Sequence, residues 1–391
     1  MIHIENVKDC CGCTACASIC HHDAITMKAD VMGFFYPVVD ESKCVDCSLC
    51  DKVCAFRPDY TSDGKAAPLS IFGCRHKDAE ELSKSQSGAA GWAIINAFLT
   101  QTGGIVYGAG YKSTTHVAHK RADDLDSCRE FRGSKYVQSD MRGVFPQVLA
   151  DLTNGSNVLF FGTPCQVAGL KSFIPKRYAD NLFTADLVCH ASPSPAFWKG
   201  YVAYMESKRK KKVVWTDFRD KSFGWHSHEE SFFFSDDFKV SDHAHRQLFY
   251  DGRIVRPSCS NCHFTNFRRV GDLTIGDHWG WEKHFSEWND NKGVSLLLVN
   301  TEKGERLRRL LEPLMDFLES NTDACTQPQL RHPEPLAADY EEVVRLFTEK
   351  GFKGVARKYG HIPGKKYYQD KLNNYILRVR HILSRIKHSF S

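Results

Sequence analysis

Two runs of cysteine mark where this sequence can do chemistry: Cys10-x2-Cys13-x2-Cys16-x3-Cys20 and, 34 residues later, Cys44-x2-Cys47-x2-Cys50-x3-Cys54. Three thiolates at two-residue gaps can take three corners of one iron-sulfur cube, and a fourth after a longer gap reaches the neighbouring cube. The duplication therefore predicts two [4Fe-4S] clusters, one held by Cys10, Cys13, Cys16 and Cys54, the other by Cys44, Cys47, Cys50 and Cys20. A structural zinc site asks for four ligands, commonly two CxxC pairs, and two matched runs of four exceed it. Proline normally follows the last cysteine of such runs. His21 and Ala55 stand there instead, which leaves ligation intact and the cluster potentials open. Cys11 interrupts the spacing and is expected to be a free thiol.

Four further cysteines are placed by predicted strands. Cys165 follows the apolar run 157–162 in the loop Thr163-Pro164-Cys165-Gln166, and Cys189 closes the next run one strand-helix-strand unit later. Parallel strands joined that way deliver both thiols to the same sheet edge. Cys259 and Cys262 add a CxxC pair. The four could hold a third [4Fe-4S] cluster; a zinc site or ordinary buried thiols fit the spacing too.

Other candidates are polar. Ser85-Gln86-Ser87-Gly88 precedes a predicted helix whose amide N-terminus suits a phosphate, as it would suit a plain serine cap. Ser134, Lys135 and Tyr136 offer a cofactor a hydroxyl, a cation and an aromatic ring, and a plain loop explains them too. Asp277 and His278 end a short strand in an aromatic loop, where proton transfer and a hydrogen-bonded turn are both open. His190, beside Cys189, reads either as support for a ligand or as a surface residue.

Strand-like runs at 69–74, 104–108, 157–162, 183–188 and 272–276 alternate with helical stretches at 89–101, 141–153 and 194–208. That alternation predicts an α/β domain with a mixed sheet, behind an α+β ferredoxin-like module of the bacterial 2[4Fe-4S] type. The expected division is a module at 1–56, a linker at 57–68, a main domain at 69–325 and a helical, basic extension at 326–391. No apolar run approaches the roughly 18 residues of a membrane span, and the N-terminus has no signal-peptide pattern. The chain reads as cytoplasmic.

Taken together, KSQSG (84–88), FRGSKYVQS (131–139), VLFFGTPCQVAGLK (158–171), DLVCHASPSP (186–195), FRDKSFGW (218–225), RPSCSNCHFTNFRRVGDLTIGDHWG (256–280) and GVSLLLVNT (293–301) resemble the coenzyme F420 hydrogenase/dehydrogenase beta subunit family. With the module in front, the likeness spans about residues 1–320. The resemblance implies FAD in the main domain, with Ser85, Gln86, Ser87, Gly88, Ser134, Lys135, Tyr136 and Thr163 as contacts. It implies cluster ligation by Cys165, Cys189, Cys259 and Cys262, while Asp277 and His278 stay candidate catalytic groups on the residue reading alone. Relatives often carry a second glycine where Ala89 stands.

Beyond the matched region, Gly304 to Ser320 has the leucine spacing of an amphipathic helix, 331–335 breaks the chain, and short helices are expected at 341–350 and 354–359. From Lys350 onward there are eleven Lys and Arg against one acid. A last basic amphipathic helix, from Lys371, can pack on its own protein, dock a partner or rest peripherally on an anionic membrane. No nucleic-acid-binding motif accompanies the charge.

The expected function is an iron-sulfur flavoprotein oxidoreductase. It would pass electrons between the clusters and FAD, to or from a hydride carrier or organic substrate, with a donor or acceptor protein docking at the module. The rival expectation is an electron-transfer subunit without its own substrate site, feeding a partner enzyme, as in polysaccharide biosynthesis.

Overall fold

A computed structural model describes residues 1–61, 67–363 and 366. The basic helix expected from Lys371 lies outside these residues, as does part of the expected linker.

The chain begins with a small module in which each cysteine run curls into a short helix, Ala15–Ile19 and Leu49–Lys52, with a two-stranded hairpin between them. That hairpin is β1 (Ile25–Ala29) against β2 (Phe35–Val39). The sequence duplication is visible in the backbone. Gly12 and Asp46 both have positive φ, as do Thr14 and Ser48, and each pair is separated by the same 34 residues. Left-handed residues in such loops can turn backbone amides toward an anion. For Thr14 and Ser48 that conformation costs about 1–2 kcal/mol each, which the rest of the fold offsets.

The rest of the chain forms two further sheets from β3 (Ser70–His76), β4 (Ile105–Ser113), β5 (His116–Ala122), β6 (Val158–Gly162), β7 (Leu182–Leu187), β8 (Val213–Asp220), β9 (Glu229–Phe234), β10 (Lys239–Ser241), β11 (Leu273–Asp277), β12 (Ser295–Val299) and β13 (Met315–Glu319). The main sheet has the order β13-β3-β12-β11-β7-β6-β4-β5. Its four middle strands, β11, β7, β6 and β4, run parallel, and antiparallel strands flank them on both sides. The parallel strands are covered on both faces, which is why they read as continuous apolar runs. The mixed sheet expected from the alternation is present. A second sheet, β10-β9-β8, packs Phe218, Phe232 and Phe234 against Trp198 and Tyr201 of the helix Pro195–Arg209.

One expected helix is replaced by a strand. The stretch from Gly304 is helical only within Glu302–Arg309, and Met315–Glu319 is the edge strand β13, paired with β3. Pro313 explains the change, since proline cannot continue a helix. Leu307 and Leu311 still reach the core. The two short helices expected near 341 and 354 form one run, Tyr340–Lys358, broken at Gly351, whose φ of 58° no helix allows.

The module is docked rather than tethered. Cys13, Ala15, Val53 and Phe56 share one apolar core with Val167, Leu170 and Phe264 of the main domain. Phe56 stacks on His263 with ring centres 4.6 Å apart.

Candidate functional site

Adjacent parallel strands β6 and β7 pair Gly162 with Asp186, so their carboxyl ends emerge side by side. The first delivers Cys165 into the opening turn of the helix Pro164–Phe173, capped by Thr163 and Gln166. The second delivers Cys189. Cys259 and Cys262 approach in the turn Pro257–Asn261 and just after it. The four thiols sense one another: burial raises the pKa of Cys189, and Cys259, Cys165 and Cys262 add to that rise. Burial pushes Cys259 and Cys262 up to about 12, again with neighbouring thiols contributing. A helix N-terminus ordinarily favours a thiolate at a position such as Cys165, yet its pKa is raised. Its hydrogen bond with Cys11 and its burial outweigh the helix. Protonated, the four are stable as buried thiols; ionised, they would form a soft donor set for metal.

In the module, burial raises the pKa of Cys16, and Cys10 and Cys54 add to the rise. Cys20, Cys44, Cys47 and Cys50 line a separate small cleft, where the Ile2 amide donates to the Cys50 Sγ at 3.2 Å. The two runs thus exchange their last cysteines in space. Among the described residues, no three or more His, Cys, Asp or Glu side chains close around a single ion. A four-iron cluster takes one thiolate per iron, so its ligands stand further apart than those of one ion. Cys11, expected to be a free thiol, lies in hydrogen-bond contact with both Cys13 and Cys165, between the module and the second group of thiols.

Beside that group opens a cavity of about 340 Å³, whose wall includes Cys189. Ser85, Gln86, Ser87, Ser134, Lys135, Tyr136, Thr163 and Asp277 all line it. Gly88 and His278 do not. Gly88 is pressed into the sheet, where an added Cβ would stand 2.6 Å from the Ser295 amide nitrogen, so it shapes the loop from behind. His278 is 1% exposed, with Nε2 at 2.9 Å from the Ser320 Oγ and its ring against Phe285. Successive residues of an extended strand end face opposite ways, so Asp277 and His278 cannot both face the cavity.

Burial pushes His278 down to about 4 from the ordinary 6.5. As pH falls the unfolded chain therefore takes up this proton first. The stability gained from the neutral ring is complete above pH 6.5 and is lost toward pH 4. Replacing His278 by Gln is expected to reduce the drop in urea midpoint between about pH 7 and pH 5; an unchanged drop would contradict this.

The wall carries polar atoms without partners: Ser85 Oγ, Gln86 Nε2, Trp92 Nε1, Arg132 Nε and His190 Nε2 are buried and make no hydrogen bond. Buried polar groups left open in this way point to a missing ligand or water. Basic side chains stand at this wall and behind it. Burial lowers Lys135 to about 7, and its amine donates to the Arg132 carbonyl at 2.8 Å. Lys221, lowered by burial to about 8, donates to the Ser87 carbonyl at 2.8 Å, and Arg132 stacks on Trp92 at 3.6 Å. Arg219, 4% exposed, stands 3.3 Å from Asp277 and donates to the Tyr136 hydroxyl at 3.2 Å. Sequence reasoning singled out neither Arg219 nor Lys221. Both lie in the quoted FRDKSFGW segment on and after β8, whose approach to the main sheet no local pattern reveals.

Ala89 is the N-cap of the helix Ala90–Ala97 and has φ +67°, a left-handed conformation that favours glycine. Ala89→Gly is expected to stabilise the fold by about 1 kcal/mol, the cost of a left-handed alanine less the extra chain entropy of glycine. A rise in Tm checks it; a fall would contradict the assigned backbone.

Residues 155–312 match the C terminus of the coenzyme F420 hydrogenase/dehydrogenase beta subunit, and residues 9–57 match the 4Fe-4S dicluster domain. The chain is thus similar to that beta-subunit family over residues 155–312, and its N-terminal domain is of the kind that holds two [4Fe-4S] clusters. Among solved structures it is similar to a chain of the F420-reducing [NiFe] hydrogenase complex from Methanosarcina barkeri. The two are 15% identical with a TM-score of 0.47, over 76% of this chain and 95% of that one. No curated protein matches the chain. No helix among the described residues is long and apolar enough to cross a membrane.

Proposed function

We propose that this protein is a FAD- and iron-sulfur-dependent oxidoreductase in which electrons cross from an outer cluster, through two inner ones, to a flavin in the 340 Å³ cavity. One observation carries the reading: Cys165, Cys189, Cys259 and Cys262 form a group that meets Cys11 of the module on one side and contributes Cys189 to the cavity wall on the other. An electron path needs a station there, and four thiols are what a third [4Fe-4S] cluster takes.

The cavity fits a dinucleotide flavin in its donor set. The open hydrogen-bonding groups of Ser85 and Gln86, with Lys221 behind them, suit phosphates at the start of a helix. Ser134, Lys135, Tyr136 and Thr163 offer further contacts along the wall. When bound, FAD supplies conversion between two-electron hydride chemistry and one-electron transfer. Arg219 pairs with Asp277 and orients it at the cavity, where the carboxylate can accept or return a proton. The Asp186–Arg269 pair fixes the strand that carries Cys189, and the apolar core around Phe56 keeps the module seated. The outer partner would dock near Cys47, the exposed cysteine of the module, and a hydride carrier or organic substrate would enter the cavity.

The test of the catalytic half is turnover. The isolated chain, supplied with an artificial electron donor, is expected to reduce a hydride carrier or organic acceptor. Bound flavin with no turnover on any acceptor would favour a subunit that passes electrons to a partner enzyme.

A further inference from the structure

Arg256 is among the largest fully buried side chains of the protein, 1% exposed. Its partners are unusual for a buried cation. Nε donates to the Cys10 carbonyl at 2.7 Å, Nη1 to the Gln138 side-chain carbonyl at 3.0 Å, and Nη2 to the Phe35 carbonyl at 2.9 Å and the Cys10 Sγ at 3.6 Å. The guanidinium lies 4.2 Å from the centre of the Tyr36 ring. Its direct partners are three carbonyl oxygens and one cysteine sulfur, and among the described residues no carboxylate stands within ion-pair distance of it. Asp30 senses the charge without forming an ion pair. A desolvated guanidinium with no carboxylate partner is costly unless another anion faces it.

The chain makes room for this cation at a backbone cost. Gly12, between Cys11 and Cys13, has φ +73°, and an added Cβ would stand 2.8 Å from the Arg256 Nη1. Gln138 completes the link, accepting from Arg256 and donating to the Cys11 carbonyl at 3.0 Å while lining the cavity.

We propose that Arg256 sets the potential of the module's inner cluster. Resting on Cys10 as a ligand of that cluster, the assignment makes the guanidinium the countercharge to each electron the cluster accepts. The step is one electron in, from the outer cluster, and one electron out, toward the thiols at Cys165, with no proton moved. A fixed positive charge and N–H donors at a ligand sulfur favour the reduced state, so Arg256 raises the midpoint potential of that cluster above the value it would otherwise have. Its own carbonyl accepts from the Cys259 amide at 3.0 Å, so it stands between the module and the thiols of the main domain.

The test is an EPR-monitored redox titration of the intact, cluster-loaded chain as wild type, R256Q and R256K, with iron content measured on each. Iron content and the number of reducible clusters in the wild type test the cluster assignment itself, separately from any shift. In R256Q one cluster is expected to fall by about 59 mV or more, tenfold in its one-electron equilibrium, while the cluster at Cys20, Cys44, Cys47 and Cys50 keeps its potential as an internal reference. R256Q with full iron and no shift overturns the proposal. If R256Q does not retain its clusters, R256K decides: it keeps the charge and should stay near wild type, and a tenfold fall in that variant overturns the assignment.

Discussion

Replacing Cys259 and Cys262 together by alanine is expected to remove about four irons from each chain and leave about eight, with the signals of the dicluster domain intact. The two thiols approach Cys165 and Cys189 from the turn Pro257–Asn261 and the residue after it. Losing half the ligand set leaves two irons of a cube without protein donors. The module does not depend on these residues for its own ligands, and of the two only Cys262 packs against the core that Phe56 and Phe264 share. Electron transfer from a reduced donor protein to the cavity should then fall by orders of magnitude, because the station between the module and Cys189 is gone. Cys74, Cys128 and Cys325 provide the control. All three are buried, Cys74 and Cys128 in one apolar core and Cys325 in another, and their replacement should leave iron content unchanged. Full iron content in the double variant would show that the four thiols are ordinary core cysteines.

The second large effect is structural. Asp186→Ala is expected to destabilise the main domain by about 3–5 kcal/mol, the range for removing one partner of a buried ion pair. Asp186 is 0% and Arg269 1% exposed, with 2.8 Å between Oδ1 and Nη2. The other carboxylate oxygen accepts from the Gly271 amide at 2.8 Å, and Arg269 also donates to the Leu187 carbonyl at 2.9 Å. Without Asp186 a guanidinium is left unpaired in the core, and the amides of Val270 and Gly271 lose their acceptor. These bonds tie the end of β7, which carries Cys189, to the segment between Cys262 and β11. Lower Tm should therefore come with weakened iron retention at the third site. A variant with wild-type Tm would contradict the buried pair.

Much of this was written in local sequence, for identifiable reasons. Cluster ligation fixes cysteine spacing within a few residues, so the module and the exchange of Cys20 and Cys54 follow from a duplication. Two-sided burial makes β6 and β7 continuous apolar runs, and parallel pairing then brings Cys165 and Cys189 to one edge. Other features depend on distant chain. The run SLLLV at β12 is apolar on both faces and too short for its period to separate strand from helix. β13 borrows its hydrogen bonds from β3, far back in the sequence, where Met315 pairs with His76, and its leucine spacing imitates a helix. Arg219 reaches the cavity from the second sheet, so only the tertiary fold pairs it with Asp277. The opposite facing of Asp277 and His278, by contrast, was available from strand geometry alone.

The central claim is that an electron path of three clusters ends at a flavin. Anaerobic purification of the intact chain, followed by assay of iron, acid-labile sulfide and released flavin, measures it most directly. About twelve irons, a matching amount of sulfide and one FAD per chain are expected. About eight irons and no flavin would contradict it.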